Sequence, residues 1–135
     1  MKSNITCDSE LGIVRTEQWE LFSLEEHFEF LQGIADDPDA SRGMPLLMDY
    51  RQLKIPEISR DDLEGISIRF GKLIEQIKTG RIALLAQSDL QFGLGRQFQI
   101  IAEQRVPAAI EVFRDKVKAV DWLREARETL MAEDN

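Results

Sequence analysis

The segment from Arg81 to Leu123 restricts the fold more than any other part of the chain. Residues 81–86 (RIALLA) form a short, unbroken apolar run, as expected of a strand covered on both faces. Ser88 offers a helix N-cap, and Gln91 three residues on completes a capping box. Leu90, Leu94, Phe98, Ile101 and Ala102 keep helical spacing up to the break at Val106-Pro107. Residues 108–113 (AAIEVF) read as a second strand, followed by a helix capped at Asp115. Two strands joined through an amphipathic helix run parallel, which commits the chain to an α/β sheet.

The upstream chain extends this pattern. Asn4–Asp8 and Gly12–Leu21 read as an antiparallel edge hairpin turning through Asp8-Ser9-Glu10. Its register is open, because adjacent Ile13 and Val14 point to opposite faces. Ser23 and Glu26 open a helix whose expected inner stripe is Leu24, Phe28, Leu31 and Ala35, widened by Phe30 and Ile34. A polar loop over residues 36–43 ends it, and residues 45–50 (PLLMDY) read as a central strand. Residues 52–58 are expected to be a connector broken at Pro56. Ser59 with Asp62 then caps a helix whose face is Leu63, Ile66, Phe70, Leu73, Ile74 and Ile77, with Gly80 placed as its stop. The last helix is expected to bury Val117, Val120, Leu123 and Trp122, and its tail to fray. The order is β-β-α-β-α-β-α-β-α in a single domain, with a mixed, mostly parallel five-stranded sheet and helices packed on it.

Composition narrows the function classes. A net charge of −8 repels phosphate backbones, so no nucleic-acid partner is expected. It equally disfavours docking on anionic lipid, leaving membrane contact at most peripheral. No run approaches the ~18 apolar residues of a membrane span, no apolar leader is visible, and the lone Cys7 suits a reducing compartment. A cytoplasmic protein is the expectation.

No catalytic apparatus is legible. His27 stands beside Glu25 and Glu26 and reads as a surface residue rather than a base. No histidine or cysteine cluster has metal spacing, and Asp36-Asp37-Pro38-Asp39 lacks the closing glutamate of a calcium loop. Gly93-Leu94-Gly95-Arg96 is not a phosphate loop, since the turn Gln87-Ser88-Asp89 has no glycine and Asp89 repels anions. The two glycines instead let the helix lie close to a neighbouring element. Ligands of open α/β sheets collect beyond the C-terminal strand ends, which here supply Asp49, Tyr50, Gln87, Ser88, Arg114 and Asp115. The plainer reading makes Ser88 and Asp115 helix caps and pairs Asp49 with Arg96 or Arg114. Phe70, Phe92, Phe98, Trp19 and Trp122 exceed what the helical stripes need, which would suit an apolar cleft; Trp122 is equally a candidate anchor for a homodimer.

RIALLAQ, Phe92-Gly93 with Arg96, and Val112-Phe113-Arg114-Asp115 with Ala119 and Trp122-Leu123 together resemble the SpoIIAA-like family, also called STAS-like or CRAL-TRIO-like domains. The resemblance covers nearly the whole chain and implies a compact sheet flanked by helices. It also implies a non-enzymatic binding or regulatory role, without a cofactor or metal, through an unidentified protein partner. The best-known relatives are anti-sigma-factor antagonists, switched by phosphorylation of a Ser or Thr just after the third strand. Here that stretch reads Met48-Asp49-Tyr50-Arg51-Gln52, and no Ser or Thr follows until Ser59, so no phosphorylation is expected. Lipid-transfer relatives hold an apolar ligand between helices and sheet, which makes a hydrophobic small molecule the alternative. The candidate ligand-binding residues are therefore Asp49, Tyr50, Ser88, Phe92, Arg96 and Arg114.

Overall fold

The structure, a computed structural model, describes residues 1–40 and 43–133. Strands β1 (Lys2–Asp8) and β2 (Ile13–Leu21) lead into α1 (Leu24–Asp36), β3 (Leu46–Lys54) and α2 (Arg60–Ile77). β4 (Arg81–Leu85), α3 (Asp89–Ala102), β5 (Ala109–Phe113) and α4 (Lys116–Glu133) follow. The five strands form one sheet in the order β1-β2-β3-β4-β5, antiparallel between β1 and β2 and parallel elsewhere. The expected parallel pairing of 81–86 with 108–113 is present, with Ile82 opposite Ile110 and Leu84 opposite Val112.

Strand alternation divides the core. Val14, Leu46, Met48, Ile82, Leu84, Ile110 and Val112 face one way, against α1, α2 and α3. Their neighbours Ile13, Leu47, Ala83 and Leu85 face the other way, against Ala119 and Leu123 of α4. Adjacent Ile13 and Val14 are thus both buried, one under each layer. Three successive crossovers of one hand put α1–α3 on the same face, because the strand order never reverses.

The capping signals operate as local chemistry predicts. Ser59 and Asp62, and Ser88 and Gln91, form reciprocal capping boxes, and Asp115 accepts from the N–H groups of Val117 and Lys118. At α1 only half the box forms. Ser23 accepts from the Glu26 N–H, but the Glu26 carboxylate turns to the Met1 amino group at 2.9 Å.

Several expectations need correction. The buried face of α1 is His27, Phe30, Leu31, Ile34 and Ala35, while Phe28 turns toward α2, where Arg69 covers its ring. Residues 52–54 are not connector: β3 continues to Lys54 because β2 supplies ladder partners, Trp19 opposite Gln52 and Leu21 opposite Lys54. The left-handed residue ending α2 is Lys78 (φ 61°), whose N–H reaches the Ile74 carbonyl, and not Gly80. Val117 is exposed, since α4 meets the sheet through Ala119 and Leu123. Leu90, in the first turn of α3, is also exposed. The loop expected over 36–43 includes Ser41 and Arg42, and the expected fraying includes Asp134 and Asn135; these four lie outside the described residues.

Candidate functional site

A cavity of about 610 Å³, counting the space at its open mouth, lies beyond the C-terminal ends of β3 and β4. Tyr50 and Leu53 of β3 and Leu84, Leu85 and Ala86 at the end of β4 form its floor. Leu63, Ile66 and Phe70 of α2 form one wall, and Leu94, Gly95 and Phe98 of α3 form the other. Phe22, His27 and the loop residues Ile55 and Ile58 close the side nearest α1. Gly95 lets α3 approach the sheet, as expected: a Cβ there would lie 3.1 Å from a Val112 methyl. Gly93 has open space around it and serves no such purpose.

Among the described residues no charged side chain lines this cavity; its polar members are His27, Tyr50 and Gln91. His27, expected at the surface, is 2% exposed. It sits among the rings of Phe22, Phe30, Tyr50 and Phe70, with centroids 5.5–6.4 Å away. Its Nε2 lies 3.3 Å from the Tyr50 hydroxyl, and its Nδ1 is buried without a partner. Burial lowers the imidazole pKa from 6.5 to about 4, so the ring is neutral at pH 7. Burial likewise raises the Tyr50 phenol pKa. The Gln18 carboxamide, itself 1% exposed, approaches that hydroxyl and opposes the rise, but makes no hydrogen bond of good geometry.

A β-bulge sets the position of Tyr50. Glu17 pairs with Asp49 and Trp19 with Gln52, so two residues of β3, Tyr50 and Arg51, oppose one of β2, Gln18. Two side chains hold this bulge. The Asp49 carboxylate accepts from the backbone N–H of Arg51 at 3.0 Å and from its guanidinium through two contacts of 3.0 Å. On the cavity side, β4 has ended as a partner, and the Gln91 amide donates to the carbonyls of Tyr50, Arg51 and Leu53 at 3.0, 3.4 and 3.0 Å. The same carboxamide accepts from the N–H groups of Gln87 and Ser88, tying the start of α3 to the end of β3.

The six residues proposed from sequence therefore do not form one constellation. Tyr50 lines the cavity. Asp49 alternates to the opposite face of β3 and pairs with Arg51, not with Arg96 or Arg114. Ser88 is the α3 cap. Arg114 lies over the Phe92 ring (4.7 Å) and bonds Asp89 at 2.7 Å, forming a separate surface group. Arg96 is exposed and makes no ion pair among the described residues. Trp122 is half-buried between Phe113 and the Arg81 guanidinium. Sequence reading missed His27 and took Gln91 only as a capping residue. His27 could have been found from its place one turn before Phe30 and Leu31, although its polarity argues the other way. The contacts of Gln91 span 38–41 residues and leave no local signature. Among the described residues no group of three His, Cys, Asp or Glu side chains could hold a metal ion, and no helix is long and apolar enough to cross a membrane.

No protein-family model and no curated protein matches the chain. Among solved structures, it is similar to an uncharacterised protein of the DUF3478 family with a SpoIIAA-like fold from Shewanella loihica PV-4. The two superpose with a TM-score of 0.57 at 21% identity, over 90% of this chain and 92% of that one. The chain has a SpoIIAA-like α/β fold, as the resemblance implied.

Proposed function

We propose that this protein is a non-enzymatic binding module whose ligand is a small, predominantly apolar molecule held in the cavity between α2, α3 and the sheet. One observation carries the reading: a cavity at the strand ends, where ligands of open α/β sheets collect, has no charged lining residue among the described residues. Apolar burial contributes ~25 cal/mol per Å² to holding such a ligand. Binding rather than catalysis is supported by the lining itself, which among the described residues offers only His27, Tyr50 and Gln91 as polar side chains and no carboxylate or thiol. Titration with the neutral fluorophore N-phenyl-1-naphthylamine tests the reading. Saturable enhancement, weakened at least tenfold in a folded Ile58→Trp variant that fills the mouth, is expected. Absence of enhancement with the parent protein rejects it.

A second reading, regulation through a protein partner at the same end of the sheet, is supported by two exposed apolar side chains. Leu90 is next to Asp89 at the start of α3, and Val117 follows Arg114 at the start of α4. A partner seated there must be lost on the double change Leu90→Glu, Val117→Glu, with cavity binding of the fluorophore retained.

A further inference from the structure

Resting on the cavity as a ligand site, we infer that its occupant is uncharged, with an apolar body and a hydroxyl group, and that anionic amphiphiles such as fatty carboxylates are rejected. Helices α1, α2 and α3 each follow a parallel strand, so their N-termini converge on the cavity end of the sheet. Three converging N-termini would ordinarily attract an anion. Here each first turn carries carboxylates: Glu25 and Glu26 on α1, Asp61 and Asp62 on α2, Asp89 on α3. Glu25 and Asp61 make no ion pair among the described residues, so the rim keeps a negative field, in line with the overall charge of −8.

The nearby cations offset it only in part, the Met1 amino group at Glu26 and Arg114 at Asp89, and leave Glu25, Asp61 and Asp62 without a cation among the described residues. Arg51 is held by Asp49, Arg114 by Asp89 and Arg60 by Glu64. Lys54 is exposed and alternates away from Leu53, which faces the cavity. A buried carboxylate would thus meet carboxylates at the mouth and find no cation inside.

The polar lining argues for the hydroxyl. Gln91 is fully engaged with five backbone groups. That leaves Tyr50 and His27, whose mutual contact is long at 3.3 Å; the Tyr50 hydroxyl otherwise has a weak bond to the Met48 sulfur at 3.7 Å and the approach of the Gln18 carboxamide, which makes no hydrogen bond of good geometry. The pair works with either imidazole tautomer, so the free valence at Tyr50 is a donor in one case and an acceptor in the other. A ligand hydroxyl suits both cases, whereas a carboxylate or a carbonyl can only accept.

Displacement of N-phenyl-1-naphthylamine from the full chain at pH 7.5 by 1-octanol, octanoate and octylammonium tests this directly. Octanol is expected to displace the fluorophore at a concentration at least about tenfold below that of octanoate, a difference of about 1.4 kcal/mol. In the Tyr50→Phe variant the octanol affinity, taken relative to the fluorophore affinity of the same variant, should fall about fivefold or more. Equal or tighter octanoate binding overturns the inference, as does octylammonium binding tighter than octanol, because the rim and not the lining would then select. An unchanged octanol affinity in Tyr50→Phe also overturns it. Failure of the fluorophore itself to bind is a different result, and rejects the cavity reading on which the inference rests.

Discussion

The Nε2 of His27 lies 3.3 Å from the Tyr50 hydroxyl oxygen, joining α1 to the bulge in β3 across the inner end of an apolar cavity. This contact brings two polar side chains together among aromatic rings, and the burial of His27 gives the protein a pH response.

The folded-state pKa of His27 is about 4 against 6.5 for the unfolded chain. The unfolded state therefore binds the extra proton first as pH falls, and the stability held above pH 6.5 declines until about pH 4. A shift of this size corresponds to about 3 kcal/mol. Urea unfolding at pH 7.5, 5.5 and 4 should show this decline in the parent and a shallower one in His27→Phe, whose carboxylates are unchanged. Parallel pH profiles would remove His27 as the cause.

Gln91→Ala removes half of a capping box and uncovers three carbonyls of β3. The expected cost is about 2–3 kcal/mol. Ser88→Ala, which loses only the cap, should cost about 1 kcal/mol. Denaturant midpoints of the two variants decide the matter; equal costs would mean that the contacts across to β3 contribute nothing.

Asp49 does not line the cavity, yet it holds the backbone N–H of Arg51 within the bulge that carries Tyr50. Asp49→Ala should therefore weaken fluorophore binding several-fold while the protein remains folded, with about 1–2 kcal/mol lost from stability. Unchanged affinity in a destabilised but folded variant would show that the bulge keeps its shape without this carboxylate.

Two glycines should respond in opposite ways to alanine. A Cβ at Gly71 of α2 would stand 2.7 Å from the backbone oxygen of Arg105, so Gly71→Ala is expected to cost about 1–3 kcal/mol. Gly93 faces open space within α3, so Gly93→Ala should stabilise by up to about 1 kcal/mol. Thermal unfolding of both variants tests the pair, and a stabilised Gly71→Ala would be the contrary result.

Much of the architecture could be read from the chain because its signals are local. The caps at Ser59, Ser88 and Asp115 and the apolar runs of β3, β4 and β5 are each decided within a few residues. The cavity was foreshadowed by surplus aromatics and by the strand ends but not by its lining, since its walls come from six helices and strands and the loops between them. Composition hid residues 52–54, because Gln52 and Lys54 are polar and only the neighbouring strand makes them sheet. Charge misled the reading of Asp49, whose partner Arg51 is two residues away on the same strand. Polarity misled it at His27, which helical position places inside.

The uninterrupted strand order has a consequence for how the chain reaches its native state. Every strand is laid beside the one made just before it, and none is threaded later between two already joined. Assembly can then advance from the hairpin outward, each helix covering its ridge as soon as the next strand docks, so little apolar surface waits for a distant partner.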